Sequence, residues 1–576
     1  MEGTGVERLT RKDIALLIGF CVVSFGLFLL DGKTRNVHET VHCQNAREMM
    51  ADGDWLVPHY AGRPWLERPP LPFWITMPFL AAFGDADWVF LAPPLLLATA
   101  SVVMLSWMTS LWFGRVMGLI SGLILASMQE FVRYATIAEC DMFLCFLVTS
   151  ALALFVKSEF AAPTIDLDRR FFGRRPLSVL GFFVVLGLTN LTKGLLFGTL
   201  VTGAPVVGYL LFGRRASLPR YLWGWGWLSA LATAAFWPIC ILLRYHDAPD
   251  FWFDDYINRA FVETPRENAY YLVQLTMMLA PWTICGITGL WLLRAGDDPR
   301  AKLGRAFVLA WVFVPLVGLS LARHKHHHYL LHAVAPWSVF AAAGAIRAWQ
   351  WLRSAPNWLR HPLTGLFLLG LPYAIAIYLF RAKFPSPVEW APYFAAGWIV
   401  VAVVGWFGAF HRRGAVAFGT MVCLVAFCRL VADFYEVRFL DKYKNDLAFL
   451  HHVTEIVPQD RDLLIYGDDG ALVASWWMYQ SRGRTKYLHN LTFLRDEKLD
   501  AREVFVIGRR KIETGMNKYG VPEVVAESER SRGETRPEER YTLFRLRYHD
   551  TLVRRPNQVR YSPLQATLRA PGPYLE

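Results

Sequence analysis

Apolar residues in this chain of 576 residues come in long runs, separated by short polar segments. A run of about 18 or more apolar residues can cross a bilayer as a helix. The pattern predicts about thirteen such spans, near 13–30, 88–112, 114–131, 142–158, 177–192, 195–212, 221–243, 271–293, 304–322, 328–347, 362–380, 389–410 and 413–431. The segment 73–84 is apolar but too short to span, and reads as an interfacial part of a first loop covering 31–87. Beyond residue 432 the pattern changes. Leu463–Tyr466, 504–507 and 541–546 read as short strands, and 446–457 and 471–479 as helices. The expected organisation is an α-helical polytopic membrane module over 1–432, a small α/β domain over 433–548, and an irregular Arg- and Pro-rich tail over 549–576. No internal repeat is evident.

Charge orients this arrangement. The net charge is +12 and most arginines fall in short loops between apolar runs, so membrane lipids rather than nucleic acid are the expected partner. With the N-terminus in the cytoplasm, the loops carrying Arg115, Arg169–Arg170, Arg174–Arg175, Arg214–Arg215 and Arg412–Arg413 all fall inside. The first loop and the α/β domain then lie outside. The run Arg323-His-Lys-His-His-His328 also falls outside, against the rule. It marks either a shifted topology or a cation cluster for an anionic ligand. Aromatics, 15% of the chain, suit interfacial belts. The eight cysteines form no CxxC pair and read as small buried hydrophobes. The first apolar segment has no small-residue cleavage site after it and reads as an uncleaved helix.

A connector between two spans needs only a few residues, yet the first loop is long and carries His38, Glu39, Arg47, Glu48, Glu67 and Arg68. Ionisable groups at membrane level are costly and are functional candidates by default. Glu139, Asp141, Lys193, Arg259, Glu263 and His324 to His328 join them on the predicted outer side, with Phe251 and Trp252 as a candidate sugar or lipid platform. Each has a plainer reading. Glu139 and Asp141 suit a helix N-terminus, Lys193 suits an interfacial position with its head in water, and Glu67–Arg68 suits a surface ion pair. Together they set carboxylates for acid–base or metal work beside cations suited to phosphate.

The first loop reads His38-Glu39, Arg47-Glu48-Met49, Gly53-Asp54-Trp55…Pro58 and Trp65-Leu66-Glu67-Arg68-Pro69-Pro70-Leu71…Trp74. It resembles that of the protein O-mannosyltransferase and aminoarabinose transferase superfamily, membrane glycosyltransferases of GT-C fold. Glu139-Cys-Asp141, Thr192-Lys-Gly194 and His328-Tyr-Leu-Leu-His-Ala-Val-Ala-Pro336 are similar to further family segments. The resemblance covers about 13–350. It implies an inner-membrane enzyme transferring a sugar, with inversion, from a polyprenyl-phosphate donor to a lipid or protein acceptor on the outer face. It implies acceptor activation by His38 and Glu39 with support from Glu139 or Asp141, and donor phosphate binding by Arg68, Lys193, Arg259 and Lys325. A divalent metal ion is the implied cofactor, with Glu67 as a ligand and His38 as a second candidate. The chain departs from the family at His38, where the family has Asp, at Val41, where it has Arg, and at Arg68, where it has Lys. A neutral imidazole can still serve as a base near neutral pH. The rival readings are a non-catalytic lipid-linked-sugar binding protein on the same scaffold and a secondary transporter, for which broken helices with midplane charges in both halves would be expected.

Overall fold

A computed structural model describes residues 7–30, 36–161, 170–253, 269–361, 364, 391–435, 444–466, 477–481, 485–494, 503–529 and 539–549, with positions 195, 294, 295, 324, 412, 462, 489 and 493 excepted. The longer helices are α1 (Arg11–Gly26), α2 (Val37–Asp52), α3 (Leu71–Phe83), α4 (Asp87–Phe113), α5 (Arg115–Leu125), α6 (Gln129–Ala135), α7 (Cys140–Val156), α8 (Leu177–Leu188), α9 (Phe197–Phe212), α10 (Gly224–Arg244), α11 (Tyr270–Met278), α12 (Thr283–Leu292), α13 (Pro299–Leu321), α14 (Leu331–Ser354), α15 (Ala391–Phe410), α16 (Gly414–Tyr435) and α17 (Lys444–Ile456). The chain divides into two compact units. One joins Met1–Asp31 to Leu66–Glu436, and the other joins Gly32–Trp65 to Val437–Glu576. The expected division at residue 432 placed the whole first loop with the membrane module; here its first part, up to Trp65, groups with the C-terminal unit.

In the membrane unit, six helices are long and apolar enough to cross a membrane among the described residues, or up to eight if each of two bent pairs is one span. The described residues therefore do not confirm the count of about thirteen. The runs at 177–192, 195–212, 389–410 and 413–431 give shorter apolar helices, and 362–380, apart from Thr364, lies outside the described residues. Hydropathy counts apolar residues but is blind to breaks. The run at 114–131 is α5 and α6 meeting at 66°, and that at 271–293 is α11 and α12 meeting at 106°. The two breaks satisfy each other: Gln129 N–H donates to Ala280 O at 2.9 Å, and Trp282 Nε1–H donates to Ser127 Oγ at 3.0 Å. Backbone groups freed in an apolar medium need such partners.

One apolar core built from α1, α4 to α11, α13, α14 and α16 holds this unit together. Small residues set the closest approaches. A Cβ on Gly289 would meet Phe340 O at 1.7 Å, and one on Gly344 would meet Cys285 O at 2.1 Å, so α12 and α14 touch backbone to backbone. At the start of α1, Thr10 and Asp13 form a capping box. The Asp13 carboxylate also receives Arg115 at 2.7 and 2.9 Å, tying α1 to α5.

The second unit is built on a mixed sheet. Its strands are β3 (Leu463–Tyr466), β4 (Thr485–Leu488), β5 (Glu503–Arg509), β6 (Gly520–Glu527) and β7 (Tyr541–Tyr548), after the two-residue strands β1 (His59–Tyr60) and β2 (Arg63–Pro64) of a hairpin. The order is β4-β3-β5-β7-β6, with β3 parallel to β4 and β5, and β7 antiparallel to β5 and β6. Side chains alternate between faces. Leu463, Ile465, Phe505, Ile507 and Leu543 pack with Phe449, Leu450 and Val453 of α17, while Leu464, Val504, Val506 and Phe544 face Ile512 and Met516. Ala61, at the hairpin tip, packs on the α17 face. Strands β4 and β6 were not read from the sequence. Both are edge strands, and β6 carries Pro522 and a bulge, which an edge tolerates. Of the helix expected over 471–479, residues 471–476 lie outside the described residues, as does the tail beyond 549.

Candidate functional site

In the second unit, α2 begins with a capping box. Asn36 Oδ1 accepts from Glu39 N–H at 2.9 Å, and Glu39 Oε2 accepts from Asn36 N–H at 3.1 Å. Glu39 is buried and His38 beside it is exposed. The next motif residues build structure. Glu48 accepts from Gln44 Nε2 at 2.7 Å and from the backbone N–H of Ala61 and Gly62 at 2.9 and 3.0 Å. Both of those residues have positive φ, at 55° and 72°, so the carboxylate fastens the hairpin turn. Arg47 donates to Tyr479 O at 3.2 Å and stacks over the Tyr479 ring at 4.7 Å. Gly53, with φ 68°, ends α2 in the left-handed region. Asp54 Oδ1 then accepts from the N–H of Leu56 and Val57. Burial holds His42, also on α2, neutral, with its pKa pulled down to about 3.

In the membrane unit, the remaining motif residues gather. Glu67 and Arg68 form an ion pair at 2.9 Å just ahead of Pro69-Pro70 and α3. Trp252 fixes the chain there. It is buried against Trp237, with ring centroids 5.6 Å apart, and its Nε1–H donates to Leu66 O at 3.1 Å. Trp252 is thus an internal brace rather than part of an open platform. Asp141, in the first turn of α7, is buried and hydrogen-bonded to the buried Lys193. Lys193 also lies 4.7 Å from the centroid of the Tyr329 ring, a cation–π distance. Its burial rules out the exposed interfacial position. The Thr192-Lys-Gly194 motif explains the placement: Gly194 has φ 148°, and Asn190 and Thr192 tie the preceding turn to Leu186, Thr189 and Thr199.

The electrostatic neighbours of Cys140 are Asp141, Arg68, Lys193 and Glu139, and those of His328 are Lys193, His326, His327 and Arg68. One cluster thus gathers Arg68, Glu139, Asp141 and Lys193 with His326, His327 and His328. Glu139 caps α7 by position, without a side-chain bond to the helix. Lys325 is buried. Arg259, Glu263 and His324 lie outside the described residues. Sequence reasoning missed Glu130 and Tyr134 of α6. Glu130 Oε1 lies 3.3 Å from His327 Nε2, and the Tyr134 hydroxyl lies 3.5 Å from the same nitrogen. The available signal was an acid at the end of an apolar run.

Among the described residues the implied metal finds no cage. The Glu67 carboxylate is engaged by Arg68, and among the described residues no group of three or more His, Cys, Asp or Glu side chains could hold an ion.

A family model described as dolichyl-phosphate-mannose-protein mannosyltransferase matches residues 36–253. An undecaprenyl phosphate-alpha-4-amino-4-deoxy-L-arabinose arabinosyl transferase of Aeromonas salmonicida is 27% identical over 54% of this chain and 55% of its own length. A second such transferase, from Sodalis glossinidius, is 28% identical over 84% of this chain and 87% of its own length. The first match thus spans about half the length of that relative. The crystal structure of ArnT from Cupriavidus metallidurans bound to undecaprenyl phosphate superposes with a TM-score of 0.68 at 17% identity, covering 92% of this chain and 98% of that one. The fold is shared, and the resemblance read from the first loop is borne out.

Proposed function

We propose that this chain, whose fold and first-loop motifs are those of the GT-C superfamily of membrane glycosyltransferases, moves a sugar from a polyprenyl-phosphate donor to a lipid or protein acceptor at the outer face of the inner membrane. The observation that carries this reading is the gathering of Arg68 and buried Lys193 around Asp141 and the His run in the membrane unit. A polyprenyl phosphate leaves already bearing negative charge. Cations held in place beforehand stabilise that charge as it develops, without a general acid. Arg68 offers a planar fork for two phosphate oxygens and Lys193 a point charge. Glu67 and Trp252 set the direction of Arg68, and Asp141 with Tyr329 sets that of Lys193. Lys325 and Arg259 are further phosphate-binding candidates. The acceptor oxygen attacks the anomeric carbon from the face opposite the phosphate, which inverts the centre. In the superfamily pattern the acceptor proton falls to His38 or Glu39, and the C-terminal α/β unit faces outward. No step is routed through a metal.

Purified protein, radiolabelled undecaprenyl-phosphate sugars and a membrane extract as acceptor source test the reading. Wild type is expected to transfer label. Arg68→Ala is expected to lower kcat/KM about 100-fold. His38→Ala and Glu39→Gln test whether the first loop supplies a base: loss of transfer in either variant would place it there, and unchanged transfer would place it elsewhere. A wild type that binds polyprenyl phosphate yet transfers no sugar from any donor would be a non-catalytic lipid-binding protein, and the enzyme reading falls.

A further inference from the structure

On α2 the Glu39 carboxylate closes a helix cap, and the family's acidic residue is replaced by His38. The membrane unit contains another acid–base pair. We propose that Glu130 and His327 form a carboxylate–imidazole dyad that takes the proton from the acceptor, a role that rests on the transferase reading above. The break between α5 and α6 places Glu130 on a short, separate helix, and the His run opens the turn before α14. Glu130 is buried and its Oε1 lies 3.3 Å from His327 Nε2. The negative charge of the carboxylate at that distance stabilises the imidazolium that forms when the ring takes a proton. The Tyr134 hydroxyl lies 3.5 Å from the same Nε2, and the His328 ring packs beside the imidazole with its centroid 5.4 Å away.

The charged surroundings come from each packed element. From α6 come Glu130, Tyr134 and Arg133, and Glu139 and Asp141 act on Tyr134 from the start of α7. From the His run come His326 and His328, and His328 in turn feels Lys193 and Arg68. The proton acceptor thus belongs to the same cluster as the phosphate-binding cations. In the step, the acceptor oxygen bonds to the anomeric carbon and its proton passes to His327. The bond from that carbon to the phosphate oxygen breaks, with its electron pair staying on the phosphate. The imidazolium later releases its proton to water. His327 is the catalytic group and Glu130 a positioning residue.

The test measures kcat against pH, together with undecaprenyl phosphate binding, for wild type, His327→Gln and Glu130→Gln in the full-length protein. His327→Gln is expected to lower kcat about 100-fold and to remove the acid limb of the profile. Lipid phosphate binding is expected to stay within about threefold. Glu130→Gln, which is isosteric and covers the case where His327→Gln does not fold, is expected to move the acid limb to lower pH because the imidazolium loses its carboxylate. A purely structural role would lower kcat equally at all pH values. An unchanged limb in both variants overturns the dyad and leaves the transferase standing. A wild type that binds the lipid phosphate but transfers nothing overturns the transferase reading, and the dyad with it.

Discussion

Two buried carboxylates mark the two ends of one helix. Asp141 sits in the first turn of α7, and Glu159 lies just past its last turn, within a 21-residue stretch long enough to cross a membrane. At 1.5 Å per residue that stretch is about 30 Å long, so the two acids lie near opposite faces. Glu159 is saturated. Oε1 accepts from Arg220 Nη1 and from the Tyr221 hydroxyl, both at 3.0 Å. Oε2 accepts from Ser217 at 2.7 Å and Arg214 Nη1 at 3.3 Å. A carboxylate offers about four acceptor sites, and these four bonds fill them. Asp141 instead receives one lysine, inside a group of further ionisable side chains. Burial and charge are alike at the two ends. The number of partners separates a clamp that ties loops together from a group placed to orient a cation.

Three variants would break or sharpen that contrast. Asp141→Asn should have the largest effect. Lys193 is left buried without its counter-charge, at a cost of about 3–5 kcal/mol in stability, and kcat should fall at least about 30-fold as Lys193 loses its direction. Unfolding in detergent and the transfer assay read both, and full activity in this variant would make Asp141 a clamp like Glu159. Glu159→Gln should cost a similar or smaller amount of stability, about 3 kcal/mol, since Arg220 keeps little else. Its kcat per folded molecule should stay within about twofold; a selective loss of kcat would erase the distinction between the two ends. Ser217→Ala should be mildest. It removes one of four donors to Glu159 and should cost about 1–2 kcal/mol, seen as a small drop in melting temperature with unchanged transfer.

The first loop shows how far a motif can be read. Its residues were visible as one family pattern, yet they do different work. Glu48 fastens a hairpin turn through two backbone N–H groups, whereas Glu67 holds a guanidinium in the membrane unit. Both are a Glu beside an Arg, and only the partners distinguish them. Strands β3, β5 and β7 were legible because each holds a run of consecutive positions buried on both faces, while β4 and β6 escaped because an edge strand leaves most of its positions partly or fully exposed or breaks the buried run. Trp252 looked like a surface aromatic from its loop, but a hydrogen bond 186 residues away along the chain buries it.

The sequence by itself pointed to a multi-pass membrane protein with a first loop resembling that of GT-C glycosyltransferases, because a run of apolar side chains and a Glu-Arg-Pro-Pro turn are local properties. The tertiary structure decided which helices are broken, which acids are clamps, and that Glu130 meets His327. Those depend on contacts between segments from about fifty to almost two hundred residues apart, where partner and distance, rather than residue type, set what a charge does.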